Sequence, residues 1–206
     1  MSDIAIFGGG FDPITLHHER IAEMVYAKTG MPVWTMPCFG HKFSKNSILS
    51  PPEQRLDMVH ATSKYYRDIL VPFDWEIRHR HSGSMHETIQ QLKAAYPEHL
   101  FHLVVGMDNA NHIEEKWHKG KELIAGNPFI VFGRSGVAPT ASWFMSPPHR
   151  FFEIDSDGSS TKVREAIERG DYVYARQHVS TAVWCYIIRS FMYGFNQTDI
   201  KEILSE

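Results

Sequence analysis

Short apolar runs recur along the chain, with helical patterns between them. Residues 4–7, 33–36, 69–73, 100–105 and 129–132 are rich in β-branched and aromatic side chains, and 151–154 carries a weaker version of the pattern. Runs this short and this uniformly apolar read as strands buried on both faces. Between them, residues 16–29, 52–66, 85–96 and 119–125 show helical periodicity or strong helix formers. Pro51-Pro52 stand where a helix can start, and Gly30 where one should stop. The alternation predicts an α/β domain with an open, mostly parallel sheet and helices on both faces. From residue 160 the pattern turns helical (161–169, 179–192 and 198–204), which predicts a C-terminal helical tail packed on the sheet. The expected division is a sheet core over 1–158 and a helical part over 159–206, together one domain. Segments 38–50 and 134–150 read as loops, the first carrying His41, Lys42 and Lys45.

Composition narrows the function classes. A chain of 206 residues, 43% hydrophobic and 22% charged, has the material for one domain with a substantial core. No window holds an apolar run long enough for a bilayer, and the start (MSDIAIF) lacks the basic flank of a signal peptide. Two cysteines, Cys38 and Cys185, form neither a metal spacing nor a disulfide framework. A cytoplasmic, membrane-free protein is expected. The net charge of −3 argues against a nucleic-acid partner, which would require a basic face.

Candidate chemistry begins at "FGGGFDPITLHHERIA", residues 7–22. Gly8, Gly9 and Gly10 fall where the first strand ends, and ligands of open α/β sheets bind at such ends. Glycine there permits a sharp turn and lets a ligand meet bare backbone. The next helix is expected to start near Thr15, so its free N–H groups form an anion site, with His18 in the first turn. Neither familiar phosphate loop fits: Gly10-Phe11-Asp12-Pro13 has no Lys-Ser/Thr, and Pro13 stands where the dinucleotide fingerprint needs a small residue. A second cluster lies at "DGSSTKVREAIERGD", residues 157–171. Ser159, Ser160 and Thr161 are N-cap types, yet Lys162 and Arg164 put cations in the first turn, the end that disfavours them. An anion on that helix start would reverse the sign. Two such helix starts together suggest a polyphosphate clamp.

These two segments resemble the paired signatures of the nucleotidyltransferase α/β phosphodiesterase superfamily: "GGGFDPITLHH" is similar to its (H/T)xGH motif and "GSSTKVREAI" to its ISSTxxR motif. Nicotinamide/nicotinate mononucleotide adenylyltransferases are the nearest match. "HK" at 41–42, "MHETI" at 85–89, "VVGMDNANHIEEKW" at 104–117 and "VFGRSG" at 131–136 resemble further family segments in the same order. Thr15 stands where many members carry His, as it does in the eukaryotic branch. His17 replaces a small residue, and Met85 replaces an aromatic of that branch.

The resemblance implies a single Rossmann-like nucleotidyltransferase domain. It moves AMP from ATP to a nicotinamide or nicotinate mononucleotide, giving NAD or its deamido form plus pyrophosphate. It implies His18, Lys42 and Arg164 as catalytic groups. On the ATP side it implies Gly9, Gly10, Phe11, Thr15, Gly106, Asp108, Arg134, Ser160 and Thr161. For the mononucleotide it implies Gly10, Phe11, Lys42, Glu87, Thr88 and Trp117. Mg²⁺ is expected on the substrate phosphates, with no metal site made by the protein. The rival readings are another transferase of the superfamily, such as a phosphopantetheine adenylyltransferase or a cytidylyltransferase, and a nucleotide-binding regulator without turnover. The aromatic-rich tail (Tyr186, Phe191, Tyr193, Phe195) reads either as internal packing or as the interface of a homo-oligomer.

Overall fold

A computed structural model describes residues 2–40, 49–81, 83–133, 135–155 and 158–195. Six strands form one sheet in the order β3-β2-β1-β4-β5-β6. They are β1 (Ser2–Gly9), β2 (Val33–Pro37), β3 (Leu70–Pro72), β4 (His99–Gly106), β5 (Phe129–Phe132) and β6 (Arg150–Phe152). Every neighbouring pair is parallel. The chain leaves β1 toward β2 and later returns on the other side to place β4 against β1. That reversal makes the carboxyl ends of β1 and β4 the switch point, where a crevice opens in folds of this kind.

Alternation along the strands divides the core in two. Ala5 and Phe7 of β1, Val104 of β4 and Phe132 of β5 face one side. There they meet α1 (Leu16–Thr29), α2 (Pro52–Tyr66), α8 (Ser160–Glu168), α9 (Tyr172–His178) and α10 (Thr181–Arg189). Ile4, Ile6, Leu103 and Val131 face the other side. Their partners are α4 (Met85–Ala95), α5 (Met107–Ala110), α6 (Ile113–Lys116) and α7 (Gly120–Ala125). α3 (Trp75–Arg78) follows β3. Because both faces are covered, the strands need apolar side chains at successive positions.

Local chemistry sets the helix ends. Gly30 closes α1 at φ 73°, its N–H donating to the Tyr26 carbonyl at 2.8 Å. Ser84 and Glu87 form a reciprocal capping box at the start of α4. Two expectations about the tail change. The 179–192 pattern is not one helix: α10 ends at Arg189, and a 3₁₀ turn, Met192–Gly194, follows. The preceding helix α9 was not foreseen from its sequence, YVYARQH. Asp171 starts it by accepting the Tyr174 N–H at 3.1 Å, and burial of Ala175 holds it on α8. A 3₁₀ turn, Trp143–Met145, lies within the segment read as a loop. The expected helix over 198–204 lies outside the described residues.

Candidate active site

The crevice at the ends of β1 and β4 holds two adjoining cavities, of about 390 and 430 Å³. Gly8, Gly9, Gly10 and Gly106 line both, so the glycine turn is the shared wall. The turn differs in one respect from the expectation. Phe11, not a glycine, takes the left-handed conformation, at φ 48°. Its ring is buried and meets Phe7 edge-on at 5.3 Å and His18 at 5.1 Å. The glycines contribute bareness: a Cβ on Gly10 would find nothing nearer than Leu49 Cδ2 at 3.7 Å.

The smaller cavity lies between the starts of α1 and α8. Thr15 is the buried N-cap of α1, and its backbone N–H donates to His18 Nδ1 at 3.0 Å. An N–H can only donate, so Nδ1 is the acceptor and the neutral ring carries its proton on Nε2. His18 lines the cavity.

Across the cavity, Ser160 Oγ donates to the Pro13 carbonyl at 2.8 Å. Arg164 donates through Nη1 to the Asp12 carbonyl and through Nη2 to Thr161 Oγ1 at 3.5 Å. The second signature is thus bolted to the first, and His18, Thr161 and Arg164 face one space. Ser159 caps α8 through the Lys162 N–H at 3.4 Å. Gly158 is required by close approach, since a methyl group there would come within 2.5 Å of His17 Cβ. His17 therefore forms part of the packing between the two signatures as well as lining the cavity. Asp108, in the first turn of α5, lines the same space. Lys42 and Arg134, with His41 and Lys45, lie outside the described residues.

The larger cavity is walled by Trp117, Met85, Ser84, Cys38 and Glu76, with Lys116 and His118 near Trp117. Glu87 and Thr88 are placed otherwise than as its lining. Glu87 is exposed, and its Oε2 accepts the Ser84 N–H at 2.8 Å, which fixes the start of α4. Thr88 is fully buried and donates to Glu76 Oε1 at 3.3 Å.

Two groups escaped the sequence reading. Glu76 is 6% exposed, lines the cavity, and accepts the Phe39 N–H at 3.2 Å. Burial pushes its carboxyl up to about 7, against the smaller opposing effects of the Phe39 and Thr88 hydrogen bonds and the Arg55 charge. Arg55, on α2, is fully buried beneath the glycine turn. Helical spacing held a signal here, because Arg55, Met58, Val59 and Thr62 form one buried stripe. Burial pushes the Cys38 thiol up, which disfavours its thiolate form.

Parallel strands meeting at a switch point, with two helix starts facing one cavity beside an aromatic one, define a nucleotide-handling α/β protein. The family model described as cytidylyltransferase-like matches residues 6–166. The probable nicotinate-nucleotide adenylyltransferase of Bacteroides fragilis is 31% identical over 190 residues, covering 89% of this chain and 90% of that protein. Its counterpart in Oceanobacillus iheyensis is 29% identical over 199 residues, covering 96% and 100%. Among solved structures, the Plasmodium falciparum nicotinic acid mononucleotide adenylyltransferase complexed with NaAD superposes with a TM-score of 0.82. That likeness spans 95% of this chain and 99% of the other at 22% identity, and it speaks to the fold. The chain belongs to the cytidylyltransferase-like family, within its nicotinate-nucleotide adenylyltransferase group.

Proposed function

We propose that the protein transfers the adenylyl group of ATP to the 5′-phosphate of a pyridine mononucleotide, with the nicotinate form as the preferred acceptor. A phosphate oxygen of the mononucleotide forms a bond to the α-phosphorus of ATP. The bond from that phosphorus to the bridging oxygen breaks, and pyrophosphate leaves with the electron pair. The attacking group is already anionic, so no side chain has to abstract a proton. Catalysis then consists of aligning two polyanions and stabilising charge on the leaving group.

One observation carries this reading: His18 and Arg164, far apart in sequence, face a single cavity that adjoins the Trp117 cavity across a wall of bare backbone. His18 Nε2–H, Arg164, Thr161 and the starts of α1 and α8 take the triphosphate. Gly9, Gly10 and Phe11 admit the reacting phosphates. Gly106 and Asp108 take the ribose hydroxyls of ATP, and Trp117 stacks on the pyridine ring. Lys42 is assigned to phosphate and Arg134 to the adenine side by the resemblance of their segments. Thr15 and Ser160 support the site by fixing His18 and Pro13, and Glu87 and Thr88 support it by fixing Ser84 and Glu76.

Among the described residues no group of three His, Cys, Asp or Glu side chains is placed to hold a metal ion. The described polar lining of the smaller cavity combines Arg164, the hydroxyls of Ser159, Ser160 and Thr161, two histidines and the separate carboxyls of Asp12 and Asp108, which fits magnesium held by the phosphates themselves, where it would neutralise charge. The names of the relatives support the nicotinate acceptor.

The test is pyrophosphate release with ATP and magnesium, using nicotinate mononucleotide, nicotinamide mononucleotide, phosphopantetheine and glycerol phosphate in turn. Release with the pyridine nucleotides, fastest with the acid form, is expected. Release only with another acceptor would overturn the substrate assignment. ATP binding without release would make the protein a regulator.

A further inference from the structure

Arg55 is an unusual resident of a buried helical stripe. Its neighbours Met58 and Val59 are apolar and fully buried, as is Arg55 itself. Nε donates to the Ser50 carbonyl at 2.9 Å, Nη1 to the Gly10 carbonyl at 2.8 Å, and Nη2 to the Cys38 carbonyl at 2.6 Å. A longer contact reaches the Phe39 carbonyl at 3.5 Å, and another the Cys38 sulfur at 3.8 Å. Among the described residues no carboxylate lies within ion-pair distance of it; its hydrogen bonds go to main-chain carbonyls, and Glu76 acts on it only as a more distant charge. A buried guanidinium with no carboxylate in direct contact is a poor stabiliser compared with an apolar side chain of similar volume. Its distinctive ability is geometric. One rigid plane of N–H donors gathers carbonyls from three separate segments.

The segments are the glycine turn, the end of β2 and Ser50. Gly10 belongs to the wall shared by both cavities, and Cys38 lines the larger one. In a trans peptide the C=O and the following N–H point in opposite directions. With the Gly10 carbonyl drawn to Arg55, the Phe11 N–H is turned away from it and fixed. Asp12 receives the Ser50 N–H at 3.0 Å, which joins two of Arg55's anchor points a second time.

We infer that Arg55 is a positioning residue of the transfer reaction, acting through Gly10 to hold the Phe11 N–H as a fixed donor to substrate phosphate. This rests on the reading that phosphates meet at the glycine turn. Its effect belongs mainly to the transition state, because a peptide free to rotate still permits binding but no longer presents a pre-aimed dipole.

The experiment uses the full chain with Arg55→Lys and Arg55→Met, and all rates are expressed per folded molecule from calorimetric folded fractions. Both variants are expected to lose kcat by about 100-fold, with KM for ATP and nicotinate mononucleotide moved by less than about five-fold. Turnover per folded molecule equal to that of the unsubstituted protein would reduce Arg55 to a structural role and overturn the inference. A second measurement needs no variant: in the ¹⁵N-labelled protein, added ATP should shift the Phe11 amide proton downfield, and an unmoved Phe11 resonance overturns the inference. The amide shift is read from ATP binding alone. It therefore separates failure of this inference from failure of the assigned acceptor, which appears as absent pyrophosphate release with every pyridine nucleotide.

Discussion

His18 has one ring nitrogen committed to the Thr15 N–H, and this settles what the other can do. With Nδ1 accepting, the proton of a neutral ring sits on Nε2, the donor proposed for the phosphates. Replacing His18 with alanine removes both contacts. Turnover should fall about 10²- to 10³-fold, the usual consequence of losing one pre-aimed donor to developing charge. Stability should fall by only ~1 kcal/mol, the scale of a lost helix-cap contact. Steady-state kinetics beside thermal unfolding separate the two effects, and a kcat within a few-fold of the original would refute the phosphate role. At this scale the sequence was informative where polar chemistry sits next to a helix start: His18, Thr161 and Arg164 face one cavity. It gave no sign of Glu76, and for Arg55 it offered only a place on a helical stripe. A buried charge is defined by partners that adjoin it only after folding, here Phe39 and Thr88 for one and Gly10 and Cys38 for the other.

Among the elements, Glu76 on α3 joins the end of β2 to α4 through Phe39 and Thr88, and its carboxyl is neutral more readily than an ordinary glutamate. Raised from 4.5 to about 7 by burial, it leaves the folded protein holding a proton that the unfolded chain has released. The stability it contributes is therefore complete below about pH 4.5 and is lost as pH rises through about 7. The full swing is about 3 kcal/mol. Glu76→Gln keeps the shape and an acceptor for the Phe39 N–H while removing the charge. Its unfolding free energy should exceed that of the unsubstituted protein by a margin that grows from pH 5 to pH 8, measured by urea denaturation. A constant margin would show that the carboxyl does not titrate in this window. Element prediction from sequence succeeded where a strand is buried on both faces, as at β5, or where punctuation is strong, as at Pro52 and Gly30. It failed for α9, whose Tyr-Val-Tyr start resembles a strand. That helix forms because Asp171 caps it and α8 offers a surface, and neither fact is visible in the periodicity of seven residues.

At the scale of the whole molecule, the tail and the sheet share one core. Val163, Val183 and Trp184 are buried in the same cluster as Phe7 and Val104. A polar contact extends this union to the site. Tyr193 adopts the left-handed conformation at φ 58° and donates its hydroxyl to Asp12 Oδ1 at 2.7 Å, while Asp12 Oδ2 accepts the Ser50 N–H. Asp12 is 2% exposed, and its main-chain carbonyl is the one Arg164 holds. Burial and the adjoining carboxylate push the phenol far above its ordinary range, so it remains a donor at every pH the enzyme would meet. Tyr193→Phe retains the ring and withdraws a donor from a buried carboxylate, a loss of about 1–3 kcal/mol in unfolding free energy. Turnover should fall too, with the KM for ATP rising, because Asp12 anchors Arg164 against the cavity proposed for the triphosphate. Urea denaturation and ATP-dependent kinetics on the same preparation measure both. If the variant loses stability while the KM for ATP stays fixed, the tail supports the fold alone and Arg164 is held without it.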